Sequence, residues 1–184
     1  MSLKFALLGI IDTGNRPYSG YELKNIFDSS MHFYWNATYT QIYSTLSRMH
    51  GDGLLTMKLV HQDNHPNKKL YSITDIGQIE LKNWVAKPFE IQKVRNAMLV
   101  QITLADRLDN DQVVAMLDAY IIKVRARLEI LQSDGVQGIL YRARNDRERF
   151  FWQFSIEKGV LTFERELDWA ESMLAKFREQ FMNE

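Results

Sequence analysis

Apolar and polar positions recur along this chain with two periods, and the change from one to the other marks its organisation. In "LKFALLGIID", Leu3, Ala6, Leu7, Ile10 and Ile11 fall at helical spacing, which predicts a helix with those residues inward, followed by a turn built from Gly14, Asn15 and Pro17. "SGYELKNIFDSS" predicts a second helix, with Ser19 as N-cap, Glu22 three residues on as its capping-box partner, and Leu23, Ile26 and Phe27 facing inward. In "ATYTQIYSTLSRMHGDGLL", Thr38 and Gln41 repeat that cap signature, and Gly51 and Gly53 end a third helix. One side of this helix carries Ile42, Tyr43, Leu46 and Met49. The other carries Thr40, Gln41, Ser44, Thr45, Ser47 and Arg48.

The period then drops to two. "LLTMKLVHQDNHPNKKLYSIT" holds the alternating runs Leu55-Met57-Leu59 and Leu70-Ser72, with Tyr71-Ile73 opposite, around a polar turn, and predicts a hairpin with Lys68 and Lys69 in a basic tip. Thr74 caps a fourth helix that offers Ile76, Ile79, Leu81 and Trp84 to the core. Helix, helix, helix, hairpin, helix is the order of a winged helix-turn-helix. Lys87-Pro88 ends it, because a residue before proline is pushed out of the α region. The expected domains are therefore 1–87, a winged-helix DNA-binding domain, and 88–184, a helical dimerisation domain.

Beyond the boundary the pattern is helical throughout. A shorter helix in "EIQKVRNAMLVQITLADRL" stops at a "DNDQ" turn, where Asn110 or Asp111 is expected to cap the next. Val114, Leu117, Ile121, Val124, Leu128 and Leu131 then recur at alternating steps of three and four, as do Phe163, Leu167, Ala170, Leu174, Phe177 and Phe181. These are the seams of two long helices, and each seam needs a partner helix from the same chain or from another copy. Three helices make a thin bundle for so many apolar residues, which points to a dimer; a bundle closed within one chain is the alternative. The expected fold is mainly α with a small β-hairpin, an N-terminal winged helix-turn-helix followed by C-terminal antiparallel dimerisation helices.

Composition narrows the classes. The 184 residues are 46% hydrophobic with no cysteine, enough for a sizeable core and without disulfide, thiolate metal site or cysteine nucleophile. The N-terminal apolar run is short and lacks a basic leader and a small-residue cleavage site, and no run approaches the roughly 18 to 20 residues of a membrane span. A cytoplasmic protein without membrane contact is expected. No catalytic or nucleotide-binding fingerprint appears. His61 and His65 have an H-x3-H spacing but lie in a hairpin tip beside Pro66, where zinc pairs of that spacing do not sit. "ARNDRERF" reads as a helix start capped by Asn145, with Asp146 and Glu148 in its first turn. Neither an enzyme nor a cofactor is expected.

Charge is less decisive. Lys and Arg total 23 and Asp and Glu 23, so net charge is zero, with 9 minus 7 giving +2 in residues 1–87 and 14 minus 16 giving −2 in residues 88–184. No global basic field announces nucleic acid. The candidate chemistry is local. A winged helix places its third helix in the major groove, where Gln pairs with adenine, Arg with guanine, and Ser or Thr with bases or phosphates. Tyr39, Thr40, Gln41, Ser44 and Arg48 are the candidates there, with Lys68 and Lys69 for phosphates or the minor groove and Ser19, in the first turn of the second helix, for a phosphate. A solvated face plus an ordinary basic turn is the plainer reading residue by residue, and the order of elements outweighs it. A winged helix that grips another protein, without DNA, is the remaining alternative, and the zero net charge suits it.

Several of these segments also form a familiar set. The SGYEL of Ser19 to Leu23, the pair Tyr34-Trp35, the QIY of Gln41 to Tyr43, the DGL of Asp52 to Leu54 and the K-x-YxIT-x-x-G of Lys69 to Gly77 occur in the order seen in the PadR-like transcriptional regulators, which the chain resembles in their longer branch with the virulence activators. The second half is matched more loosely, through Lys158-Gly159 and Trp169. This resemblance implies a homodimer whose C-terminal helices pair and whose third helix and wing bind a dyad-related, double-stranded operator through Tyr39, Thr40, Gln41, Ser44, Arg48, Lys68 and Lys69. Ser44 stands where family members commonly have proline, and Met49-His50 where they have a Leu-Glu pair, changes that bear on operator sequence rather than fold. Some relatives bind phenolic acids or hydrophobic drugs in a cleft between the two parts. A small aromatic or hydrophobic effector is implied on that ground, with Trp84, Phe89, Trp152 and Trp169 as candidates to line its site; at helical spacing, plain core packing is the other reading.

Overall fold

The computed structural model describes residues 2–30, 36–61, 67–90 and 96–182, which form two compact units, Met1–Glu90 and Ile91–Glu184. The first contains α1 (Ser2–Gly14), β1 (Tyr18–Ser19), α2 (Gly20–Ser30), α3 (Tyr39–Gly51), β2 (Leu55–Val60), β3 (Lys68–Ile73) and α4 (Asp75–Val85). The sheet is antiparallel in the order β1-β3-β2, with Leu55 opposite Ile73, Met57 opposite Tyr71 and Tyr18 also opposite Tyr71. The hairpin is the one the alternation predicts, although Lys68 and Lys69, expected in its tip, lie on β3 and Leu59 of the apolar run is exposed. The strand β1 is not predicted, since two residues are too few to show a period.

Helical phase decides the core. Leu7, Leu8 and Ile11 of α1, Leu23 and Phe27 of α2, and Ile42, Leu46 and Met49 of α3 are buried together with Leu54, Leu55 and Tyr71. Backbone conformation sets the path between α3 and β2: Gly53 has φ +73°, a left-handed conformation that suits glycine. The α4 helix departs from expectation. Of the four residues expected inward, Ile76 and Ile79 are exposed, Leu81 is half-buried against the core, and Trp84 is exposed at 39% with its ring stacked 4.5 Å from Phe5; the buried position is Gly77. The cause is close approach at Gly77, where a Cβ would lie 2.4 Å from the Leu54 carbonyl oxygen. The cap at Thr74, which accepts the Gly77 N–H, fixes that phase.

The second unit contains α5 (Ala97–Thr103), α6 (Asn110–Gln132), the short α7 (Asp134–Gln137) and α8 (Asp146–Phe181). Of the helix expected before the "DNDQ" turn, the described residues form α5 and a 3₁₀ turn at Ala105–Arg107 after it, and residues 91–95 lie outside the described residues. Asp109, not Asn110 or Asp111, caps α6, because its carboxylate accepts the Gln112 N–H while Gln112 returns the bond. The α6 and α8 helices run antiparallel: Val113, Leu117, Ile121, Ala170 and Leu174 form the seam, and the pairs Asp118–Arg178 and Arg125–Glu171 flank it. Tyr120 donates to Glu166 at 2.6 Å, and burial together with that carboxylate pushes its hydroxyl up to about 12. Phe181, expected to extend the seam, is exposed. Asn145 caps α8 as expected.

Candidate nucleic-acid interface

The α3 helix is held at both ends and along one side. Thr38 accepts the Gln41 N–H while Gln41 Oε1 accepts the Thr38 N–H, a reciprocal capping box. At the far end the His50 ring Nδ1 lies 3.0 Å from the Leu55 carbonyl oxygen. Burial of Ile42, Leu46 and Met49 fixes which side faces out. That side differs from the expected one at two positions. Thr45, expected outward, is buried, and Tyr43, expected inward, is 45% exposed. The apolar stripe lies on the 42-45-46-49 side, and Tyr43 falls at its edge, its ring against Gly20 of α2.

Thr40, Ser44 and Arg48 then form one exposed row at four-residue steps, with Gln41 and Ser47 beside it. The eight helical steps from Thr40 to Arg48 extend roughly 12 Å, about the width of the major groove. Ser44 Oγ donates to the Gln41 carbonyl at 3.1 Å, and Tyr39 is exposed with the Lys24 ammonium 5.2 Å over its ring. The structure thus brings Tyr39, Thr40, Gln41, Ser44 and Arg48 onto one helix surface. Gln41 arrives already engaged in the cap.

The other candidates scatter. Ser19 is buried, its N–H donates to Glu22 Oε2 at 2.9 Å and its hydroxyl to the same oxygen at 2.6 Å, so its own groups are committed to the α2 cap rather than presented to a phosphate. Lys68 and Lys69 are neighbours on β3 and point to opposite faces of the sheet. Lys69 is exposed, whereas Lys68 Nζ lies 3.2 Å from Glu22 Oε2. Residues 62–66 of the hairpin tip, His65 among them, lie outside the described residues. Among those described, no group of His, Asp and Glu is placed to hold a metal ion.

The aromatic candidates do not gather into one site within either unit. Trp84 packs on Phe5, and Phe89 is fully exposed. Trp152 and Trp169 lie on the same helix 17 residues apart, about 25 Å at helical rise. Trp169 stands edge-on to Tyr120. Among the described residues of the second unit, one groove of about 460 Å³ lies between α6 and α8, beside Ile121, Ile122 and Leu174, and another of about 250 Å³ between α5 and α6, beside Met98, Ile102 and Tyr120. Neither is lined by any of the four. Sequence reasoning missed Arg16 and Glu22, which the fold brings beside Ser19 and Lys68; the only signal was the capping-box position of Glu22.

A helix-turn-helix followed by a two-stranded wing, on a chain with a long α-helical second unit, defines the winged-helix regulator class. Residues 7–83 match the transcriptional regulator PadR-like family, and residues 94–178 match the virulence activator alpha C-terminal region. The chain thus carries a PadR-like domain followed by a virulence activator C-terminal domain, as in the longer branch of that family. It is 40% identical over 88 residues to the Mycobacterium tuberculosis protein named "Probable transcriptional regulator Rv1176c", an alignment spanning 48% of this chain and 46% of that protein, about half its length. It is 28% identical over 131 residues, 71% of each chain, to the negative transcriptional regulator PadR of Bacillus subtilis. The crystal structure of that PadR with operator DNA superposes with a TM-score of 0.78 at 24% identity, covering 96% of this chain and 99% of that one, and PadR has also been solved with p-coumaric acid. The structure of the Vibrio cholerae virulence activator AphA also superposes, with a TM-score of 0.72 at 20% identity, covering 96% of this chain and 98% of that one. At these identities the structural likeness shows the fold.

Proposed function

We propose that the protein is a cytoplasmic, sequence-specific DNA-binding transcriptional regulator that acts as a homodimer on a dyad-symmetric operator. The observation that carries this reading is the exposed row Thr40, Ser44 and Arg48 on a helix fixed by a cap, a buried stripe and a tie to the wing. Preorganisation of that kind suits base reading, because the donors and acceptors reach the groove without first being ordered. Tyr39, Thr40, Gln41, Ser44 and Arg48 face the bases or adjoining phosphates, and Lys69 extends from the wing.

Support for a homodimer comes from apolar side chains left exposed on the long helices, among them Ile122 and Ile130 of α6 and Phe150, Phe154 and Leu161 of α8. Among the described residues no helix is long and apolar enough to cross a membrane. Response to a small aromatic or hydrophobic effector is part of the proposal, on the strength of the PadR complex with p-coumaric acid.

Fluorescence anisotropy against genomic fragments from the protein's own upstream region, at two salt concentrations, tests the DNA reading. Tight binding that weakens steeply with salt supports it, since phosphate contacts release counterions. Absence of binding to those fragments and to genome-wide selected DNA at low salt would contradict it.

A further inference from the structure

Glu22 joins four elements through one carboxylate. Oε2 accepts the N–H and hydroxyl of Ser19 at 2.9 and 2.6 Å, and the Lys68 ammonium lies 3.2 Å from it. Oε1 accepts from the Arg16 guanidinium at 3.2 Å. Arg16 is itself constrained: its guanidinium lies 3.9 Å over the Tyr18 ring and donates to the Pro17 carbonyl at 3.1 Å. The turn after α1, strand β1, helix α2 and strand β3 therefore meet at this group. Burial raises the Glu22 carboxyl, but the bonds from Ser19, Lys68 and Arg16 outweigh it and hold it at about 2, so the carboxylate is charged at neutral pH.

A helix start flanked by two cations is the arrangement that attracts a phosphate. Here that position is already filled by a side chain of the same chain. The local formal charge of Arg16, Lys68 and Glu22 is 2 minus 1, or +1, and the two cationic side chains, 52% and 39% exposed, are turned toward Glu22. Lys69, one residue along the strand and on its other face, is exposed. A regulator must find its site among a great excess of other sequences, so attraction to any phosphate backbone works against discrimination.

We propose that Glu22 is a positioning residue of the DNA interface that withholds Lys68 and Arg16 from DNA phosphates, limiting sequence-independent attraction and leaving recognition to α3. This rests on the DNA-binding reading above. It assigns unlike roles to two adjacent lysines: Lys69 meets phosphate, and Lys68 does not.

The test is anisotropy on a mixed-sequence DNA duplex across a salt series, with wild type, Lys68→Ala, Lys69→Ala, Glu22→Gln and the triple variant Arg16→Ala/Glu22→Gln/Lys68→Ala. Glutamine also serves at this position of a capping box, so α2 keeps its start, and a helical melting curve checks this. Lys68→Ala is expected to leave the slope of log K against log salt unchanged, and Lys69→Ala to flatten it by about one. Glu22→Gln is expected to steepen the slope by roughly one to two as the released cations engage phosphates at about 0.9 each, and the triple variant to lose that gain. A Glu22→Gln slope equal to wild type, a gain that persists in the triple variant, or a flattening in Lys68→Ala would overturn the proposal. Should Glu22→Gln fail to fold, Lys68→Ala decides alone. Wild-type protein without salt-dependent binding would instead remove the DNA-binding reading, and the proposal with it.

Discussion

Gln41 illustrates how one side chain can be asked to do two things. Its Oε1 accepts the Thr38 N–H at 2.9 Å in the cap of α3, while pairing with adenine needs both its carbonyl and its amide group. Two substitutions separate these roles. Gln41→Glu keeps an acceptor for the cap, so thermal stability is expected to hold while specific DNA affinity falls, because the amide donor is gone. Gln41→Ala is expected to lower both, with a stability loss of about 1 kcal/mol seen by denaturant unfolding. Unchanged DNA affinity in Gln41→Glu would leave Gln41 a cap residue only. Glu22 carries the residue-scale pH dependence. Its folded value of about 2 lies below the ordinary glutamate value of 4.5, so its stabilising contribution is complete above that ordinary value and is lost as pH falls toward 2. Acid unfolding followed by circular dichroism should show wild type and Glu22→Gln converging across that window; a constant gap would contradict the assignment. Capping signals such as Thr38 with Gln41 and Ser19 with Glu22 were legible in the sequence because they are local. The bonds from Lys68 and Arg16 to Glu22 were not, since they join residues brought together only by the sheet.

The phase of each element follows from where its cap and its closest contact fall. In α3 the stripe Ile42, Leu46 and Met49 was legible from spacing, and the fold adds Thr45 while turning Tyr43 out. In α4 apolar identity misled: Ile76 and Ile79 look like core residues, yet Gly77 takes the inner position because only a residue without a Cβ fits against the Leu54 carbonyl oxygen. Leu46→Ala is therefore expected to cost about 2–5 kcal/mol in denaturant unfolding. Ile76→Ser, at a site 63% exposed, should change stability by no more than about 0.5 kcal/mol. A large loss for Ile76→Ser would mean that this face is covered. The two-residue β1 could not be read from alternation, although it supplies the third strand that holds Ser19 beside β3.

At the scale of the molecule, zero net charge is compatible with a nucleic-acid partner, because recognition needs a local face rather than a global field. The helical seams were legible as seams, and the structure shows them satisfied in part within the chain, by Val113, Leu117 and Ile121 against Ala170 and Leu174. What remains exposed is consistent with a second copy. Ile122→Asp combined with Ile130→Asp places charges at positions 64% and 48% exposed, and should convert a dimer to monomer in sedimentation velocity while helical content is retained. An unchanged sedimentation profile would remove α6 from the dimer contact. The central claim is that two such chains present their α3 helices to a two-fold symmetric site. Footprinting of the bound upstream fragment tests it most directly. Two protected half-sites related by a dyad are expected, with centres one turn of DNA apart, about 34–36 Å, or a multiple of it. A single asymmetric footprint, or uniform protection without preferred sequence, would contradict it.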